Sequence, residues 1–456
     1  MKHHFCIVIV VLLSLGLLTI DALCSGSDSA TSGPLLLEGV RVFDTTSGTL
    51  SDACNILIVD DVIKAVGDAK PELEGLRRID CSGKYAVPGL FDCHTHLAML
   101  TIMGEGKLEE NLCSFVASGI THVRDVGGPV KVLKGLSDSI SSGEQEGPEF
   151  FYTGPMLERS PLTWGDRNET LPDFTVAIDT CEDADRVLAE LAAGGACLVK
   201  TFSKFDLDVY KHLVAVARKL GLRIVHDPGP PLFHEIPMDK AIELGVKSIE
   251  HGKAPWPVVL KDELKKEHDQ LLAENSGRMQ RSMFMRKVVE QGTDALSMEK
   301  LEQLAGMMRD KGVYFCPTLQ VFADMGDELP EDVPESAHEM VRKMMKGLSG
   351  MSLLFTKELI KQKVEILVGQ DGVSADGTFA EMALLEECGL AASEIIRGAT
   401  LYPARFLGVQ DRLGSVTPGK EADILVVDHN PLEKIDNLQA TYLVVQQGRV
   451  VFRKDG

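Results

Sequence analysis

The segment Pro88-Gly89-Leu90-Phe91-Asp92-Cys93-His94-Thr95-His96 ends an apolar, strand-like run on two histidines separated by one residue. Side chains two positions apart on a strand share a face, so His94 and His96 can close on one cation. Four further groups with ligand chemistry end later apolar runs: Lys200 in LVKTF, His226 in RIVHDPG, His251 in SIEHG and Asp371 in LVGQDG. Parallel strands rolled into a barrel bring their C-terminal ends to one mouth, which makes these six groups a single metal-site inventory.

Each of the later groups also has a purely structural reading. Lys200 could be a surface lysine just past its strand, His226 and His251 satisfied core histidines, and Asp371 the N-cap of the following helix. A buried, neutral lysine amine can instead add carbon dioxide and become a carbamate whose two oxygens bridge two divalent metals. Two cations about 3.5–4 Å apart lower the pKa of a bridging water and polarise a carbonyl, while Asp371 can pass a proton from the hydroxide to the leaving nitrogen. The expected chemistry is hydrolysis of an amide-type C–N bond. Neither a GxSxG elbow nor a GxxxxGKS phosphate loop occurs in the chain, so serine-hydrolase and nucleotide-driven mechanisms have no support.

Positioning these groups requires a particular set of elements. Short β-branched runs alternate with helical patterns, with strand cores at 86–92, 120–125, 150–156, 196–201, 223–225, 247–250, 313–317 and 365–369. That is the order and number of an α/β fold of the (β/α)8 TIM-type barrel class. Residues 35–81 and 414–453 alternate as strands with turn signals and no helical period, and two such segments bracketing a barrel most simply meet as one small β-sandwich. The expected division is a sandwich of residues 34–86 and 405–456 around a barrel of residues 87–404, with a helical insertion at 257–311. Methionines crowd residues 279–351, where they are expected to fill gaps between packed helices.

The chain has 456 residues, enough for two or three domains, with 44% hydrophobic and 25% charged residues. The 47 basic and 68 acidic residues give a net charge of −21, which disfavours a phosphate-rich partner and excludes nucleic acid as the target. Residues 1–24 combine a basic start, an uncharged run from Phe5 to Ile20 shorter than the roughly 20 residues of a membrane span, and the small pair Ala22 and Cys24. This is the pattern of a cleaved secretory signal, which predicts a secreted protein, extracellular or periplasmic, with no stable membrane span. Cleavage leaves eight of the ten cysteines, with no CxxC pair; Cys54 and Cys81 are the pair to test for a disulfide. Asn168-Glu169-Thr170 forms a glycosylation sequon. The expected partners are a small-molecule substrate and, optionally, further copies of the chain.

These motifs resemble the metal-dependent amidohydrolase superfamily, in particular its imidazolonepropionase-like and Xaa-Pro dipeptidase-like branch. The resemblance is carried by PGLFDCHTH, GITHVRDVGG, LVKTF, SIEHG, FCPTL, the LVGQDG aspartate, ATLYPARFLG and GSVTPGKEADILVV. It implies that His94 and His96 bind one metal, carbamylated Lys200 bridges, His226 and His251 bind the second, and Asp371 closes the site. Two divalent ions follow, with zinc expected because imidazole dominates the ligand set. The implied substrate is a dipeptide or N-acyl amino acid; a cyclic amide or lactone is the alternative on the same metals, and a non-catalytic scaffold is the alternative of another class. Two loops depart from the family. Ser160-Pro161-Leu162-Thr163-Trp164-Gly165-Asp166 lacks the histidine of a Gly-Gly-His-Gly-like loop, and Gly369-Gln370-Asp371, followed by Asp376, Thr378 and Glu381, stands where Gly-Thr-Asp and a nearby histidine are usual. The family's substrate contacts therefore do not transfer.

Overall fold

The computed structural model describes residues 33–229, 235–274, 276–323, 335 and 338–454, so the expected signal segment lies outside the described residues. The described chain begins with five strands, β1 (Leu35–Asp44), β2 (Thr49–Val59), β3 (Val62–Gly67), β4 (Arg77–Asp80) and β5 (Tyr85–Pro88). Nine more alternate with helices: β6 (Leu90–Thr95), β7 (Ile120–Asp125), β8 (Glu149–Tyr152), β9 (Met156–Glu158), β10 (Thr175–Ala177), β11 (Leu198–Phe202), β12 (Arg223–Asp227), β13 (Ser248–Glu250) and β14 (Tyr314–Cys316). The run expected as one strand at 86–92 is divided at Gly89, which passes so close to β7 that a Cβ there would lie 2.1 Å from Thr121 Oγ1.

The alternating region pairs in parallel as two sheets, β6-β7-β8 and β10-β9-β11-β12-β13-β14. Residues 365–369, expected as the eighth barrel strand, form no strand. A bridge joins Ile366 to Phe315, Leu367 N donates to Phe315 O at 2.8 Å, and Cys93 N donates to Val368 O at 2.7 Å. This segment stitches β14 to β6 without a ladder, so no barrel closed by continuous strand pairing forms among the described residues. Gly369 passes close over β6 here: a Cβ there would lie 2.7 Å from the backbone N of His94. Phe91, Cys93, Leu198, Val225, Cys316 and Leu367 nevertheless share one buried cluster. Outward-facing Val123, Val199, Ile224 and Ile249 pack with helix residues such as Leu188 and Leu213, the alternation a two-sided parallel sheet requires.

Three late strands, β15 (Ile424–Val427), β16 (Thr441–Gln446) and β17 (Arg449–Arg453), return to the beginning of the chain. β15 pairs antiparallel with β5, giving the order β17-β16-β15-β5-β1-β2-β3 with β4 beside β1. The expected two-layer sandwich is thus one eight-stranded sheet. Leu35, Leu37, Ile56, Ile424 and Val445 form a core on one of its faces, while Phe43, Val87, Leu425 and Val444 join the main core from the other. A sheet of this width twists enough to curl over its own inner face.

The 257–311 region is helical, with Asp262–Ala273, Arg278–Gln291 and Met298–Lys311. Trp256, buried, packs against His268 and Phe284 of the first two. Met285, Met308 and Met351 fill core positions as expected, whereas Met279, Met283 and Met340 lie exposed. Cys54 and Cys81 are free thiols. The Asn168 side chain donates to Thr175 O at 2.9 Å and accepts from Thr175 N at 3.0 Å, so the sequon nitrogen is already engaged in a backbone clasp.

Candidate metal centre

β6 delivers His94, fully buried, with Nδ1 donating to Glu250 Oε2 at 2.7 Å. Its Nε2 then lies 3.5 Å from Asp371 Oδ1 and 3.5 Å from Lys200 Nζ. His96 Nδ1 donates to Gly127 O at 3.3 Å, and its Nε2 lies 3.1 Å from the same Asp371 oxygen. His94, His96 and Asp371 therefore turn one atom each toward a common point, close enough to hold one divalent ion.

Lys200, 1% exposed, reaches from β11 to a second group. Its Nζ is 3.3 Å from Asp227 Oδ2, and that oxygen accepts from His251 Nε2 at 2.8 Å. His251 Nδ1 contacts Thr318 Oγ1 at 2.8 Å and lies 3.7 Å from Asp371 Oδ2. Both His251 and Asp371 hold positive φ, 72° and 62°. Such conformations cost side-chain-bearing residues of order 1–3 kcal/mol and gather where function fixes geometry.

Of the six residues singled out in the sequence, five converge here and His226 does not. Its Nε2 donates to Ile236 O at 3.0 Å, and its Nδ1 lies 2.9 Å from Thr201 Oγ1 and 3.1 Å from Tyr210 OH. The cause is strand alternation. Lys200 pairs with Val225 and Thr201 with His226, so His226 shares the outward face of Thr201 while Asp227, two past Val225, shares the inward face of Lys200. The pairing register, rather than residue type, is what selects Asp227. The cap alternative for Asp371 also falls away, because Ser374 caps the helix Ala375–Glu387 by accepting from Gly377 N.

Two supporting groups carried no metal-ligand signature in the sequence. Arg124, fully buried on β7, donates to Glu250 at 2.8 and 3.0 Å, to Ser248 Oγ at 2.9 Å and to Cys93 O. Asp92 accepts from His94 N at 2.9 Å, Gln370 Nε2 at 2.8 Å and Thr378 Oγ1 at 2.6 Å. Gln370 and Thr378, which depart from the family pattern, thus anchor the base of the histidine pair.

The electrostatics follow from burial and close charges. Burial, reinforced by Lys200, holds the His94 imidazole well below its ordinary value. Burial opposes charge on His96 as well, but the Asp371 carboxylate at its Nε2 raises it. Burial alone would raise both aspartates. The imidazoles of His94, His96 and His251 instead hold Asp371 far below the usual carboxylate range, and His251 with Lys200 does the same for Asp227. His226 is pushed down to about 4, chiefly by burial.

Comparison with known proteins accords with this geometry. Residues 355–451 match the model of the amidohydrolase family. A dihydroorotase from Trichlorobacter lovleyi is 34% identical over 89 residues, 20% of this chain and 21% of that protein, so the chain aligns with only about a fifth of that relative's length. A 5-methylthioadenosine/S-adenosylhomocysteine deaminase from Thermoanaerobacter pseudethanolicus is 22% identical over 400 residues, covering 83% of this chain and 81% of that protein. Among solved structures, a Xaa-Pro dipeptidase with methionine bound in its active site superposes with a TM-score of 0.71 at 20% identity, over 92% of this chain and 100% of the other, a likeness of fold. The fold shared with such neighbours is a TIM-type barrel with a second domain. Among the described residues no helix is long and apolar enough to cross a membrane.

Proposed function

We propose that the chain, whose residues 355–451 match the amidohydrolase family model, is a metal-dependent hydrolase cleaving the amide-type C–N bond of a small substrate such as a dipeptide or N-acyl amino acid. The observation that carries this reading is the position of Lys200 Nζ, 3.5 Å from His94 Nε2 and 3.3 Å from Asp227 Oδ2. A carbamate on that nitrogen has an oxygen for each group. His94, His96 and Asp371 would hold one divalent ion; the Lys200 carbamate, Asp227 and His251 would hold a second. The donor sets fit, and zinc suits the imidazole-rich first set.

Divalent ions bound there would polarise the substrate carbonyl and acidify a water molecule. The chain's own residues supply the rest. Asp371 lies at the junction of the two groups, where its carboxylate can take a proton from the attacking water and return it to the leaving nitrogen. Glu250 fixes the His94 tautomer with Nε2 toward the site. Asp92, Gln370 and Thr378 hold the start of the motif rigid beneath it. We take the protein to be exported after cleavage between about Ala22 and Ser27, which N-terminal sequencing of the secreted form checks.

The test of the activity is a hydrolysis screen of the metal-loaded protein against dipeptides, N-acyl amino acids, cyclic amides and lactones. Turnover of the first two classes supports the proposal. Inactivity on every class with both metals bound replaces it with a scaffold. In parallel, 13C-bicarbonate labelling should give a carbamate carbon signal that vanishes in Lys200→Ala.

A further inference from the structure

Lys253 stands two residues after His251 and belongs to none of the ligand groups described above. Its Nζ lies 5.0 Å from the centroid of the Phe322 ring, and that ring meets His251 edge-on at 6.0 Å. The charges facing its ammonium are Asp227, Asp371 and Lys200, all members of the metal centre. Among the described residues the Lys253 ammonium has no carboxylate at ion-pair distance and no hydrogen-bond partner; it stands over the aromatic face of Phe322. Two other cations after the barrel strands, Lys204 and Arg159, are already paired, Lys204 with Glu158 at 3.5 Å and Arg159 with Glu235 at 2.5 Å.

A half-buried ammonium is costly without an anion. The two aspartates it faces offer little relief once their charge is shared with divalent ions. The chain's net charge of −21 also gives no general attraction for an anionic substrate, so a local cation has to provide it. In a dipeptide or N-acyl amino acid the α-carboxylate carbon lies two bonds from the scissile nitrogen, so this group enters the site beside the metals.

We propose that Lys253 binds the free α-carboxylate of the amino acid released by hydrolysis, with Phe322 walling that subsite, and so selects carboxylate-bearing amides over lactones and cyclic amides lacking one. The proposal rests on the hydrolase reading above and names its substrate class.

The test compares N-acetyl-L-leucine with N-acetyl-L-leucinamide, which lacks the charge, on the wild type and on Lys253→Met and Lys253→Arg. A charge-assisted contact of this kind corresponds to about 10–100-fold in binding. The ratio of kcat/KM for acid over amide should fall by that factor in Lys253→Met and be largely kept in Lys253→Arg, with metal content unchanged in both. An unchanged ratio in Lys253→Met overturns the proposal. Calorimetric binding of the same two compounds separates the two ideas. A wild type that hydrolyses neither yet binds the acid through Lys253 refutes the hydrolase reading and keeps the carboxylate site, whereas turnover with equal binding of acid and amide does the reverse.

Discussion

Glu250 Oε2 accepts from two fully buried partners at once, His94 Nδ1 at 2.7 Å and the Arg124 guanidinium at 2.8 Å. One carboxylate therefore both neutralises a buried cation and sets the direction of an imidazole. Glu250→Ala should cost about 3–5 kcal/mol, because Arg124 is left buried and unpaired. Glu250→Gln preserves the shape and should show its effect in metal affinity, lowered about 10–100-fold as when an outer-shell partner is weakened. Urea unfolding and metal titration of both variants check this; unaltered metal affinity in Glu250→Gln would remove Glu250 from the tuning of His94.

Asp227 and His226 are adjacent and face opposite ways, which makes them a paired test of the second metal position. Asp227→Ala should lose one of two bound metals after dialysis. His226→Gln should keep both and lose only about 1 kcal/mol of stability with its outer hydrogen bonds. Elemental analysis of the purified variants decides; loss of metal in His226→Gln with retention in Asp227→Ala would reverse the assignment.

Asp371→Asn retains the size and one oxygen donor but cannot carry a proton. Turnover should drop by about 10²–10⁴-fold while the fold and much of the metal remain. Ser374 already caps the following helix, so a capping role offers no competing reason for a loss. Near wild-type kcat in Asp371→Asn would take Asp371 out of the mechanism.

Glu381 is fully buried, and burial pushes its carboxyl up to about 8, although the Gln320 and Leu319 amides partly oppose the shift. Its Oε2 accepts from Gln320 N at 2.7 Å while Oε1 has no partner. The folded-state value lies above the unfolded one, so its contribution is fully present below about pH 4.5 and is lost as pH rises toward 8. Glu381→Gln should therefore stabilise the protein by about 3–4 kcal/mol at pH 7–8 and by almost nothing at pH 4. Thermal melts across that range test the sign; a stabilisation that does not grow with pH would mean that Glu381 does not titrate in this window.

The alternation of β-branched runs with helical patterns identified β7, β11, β12, β13 and β14 because buried parallel strands leave dense apolar signatures. The stretch at 365–369 carries the same signature, ILVG after Glu365, yet forms no strand. The close passage of Gly369 over His94 is a tertiary constraint that no local pattern encodes. Likewise, His94, His96, Lys200, His251 and Asp371 stood out by residue type at strand ends, whereas choosing between His226 and Asp227 required the pairing register of β12 with β11. Arg124 and Glu250 looked like an ordinary strand arginine and part of SIEHG. Only their mutual burial reveals the support they give to His94.

The pairing of Ala86 with Val426 places β1, the first strand of the described chain, and β15, some 340 residues later, on either side of β5. During synthesis β5 must therefore wait, with one backbone edge bare, until some 340 further residues have left the ribosome. Unsatisfied edges of this kind recruit other chains, so vectorial folding places the greatest aggregation hazard on incomplete polypeptides. Ribosome-stalled chains ending near residue 410 should be cut readily by protease within residues 35–88, whereas released full-length chains should resist. Equal resistance in the two would show that the amino-terminal strands settle without their distant partner.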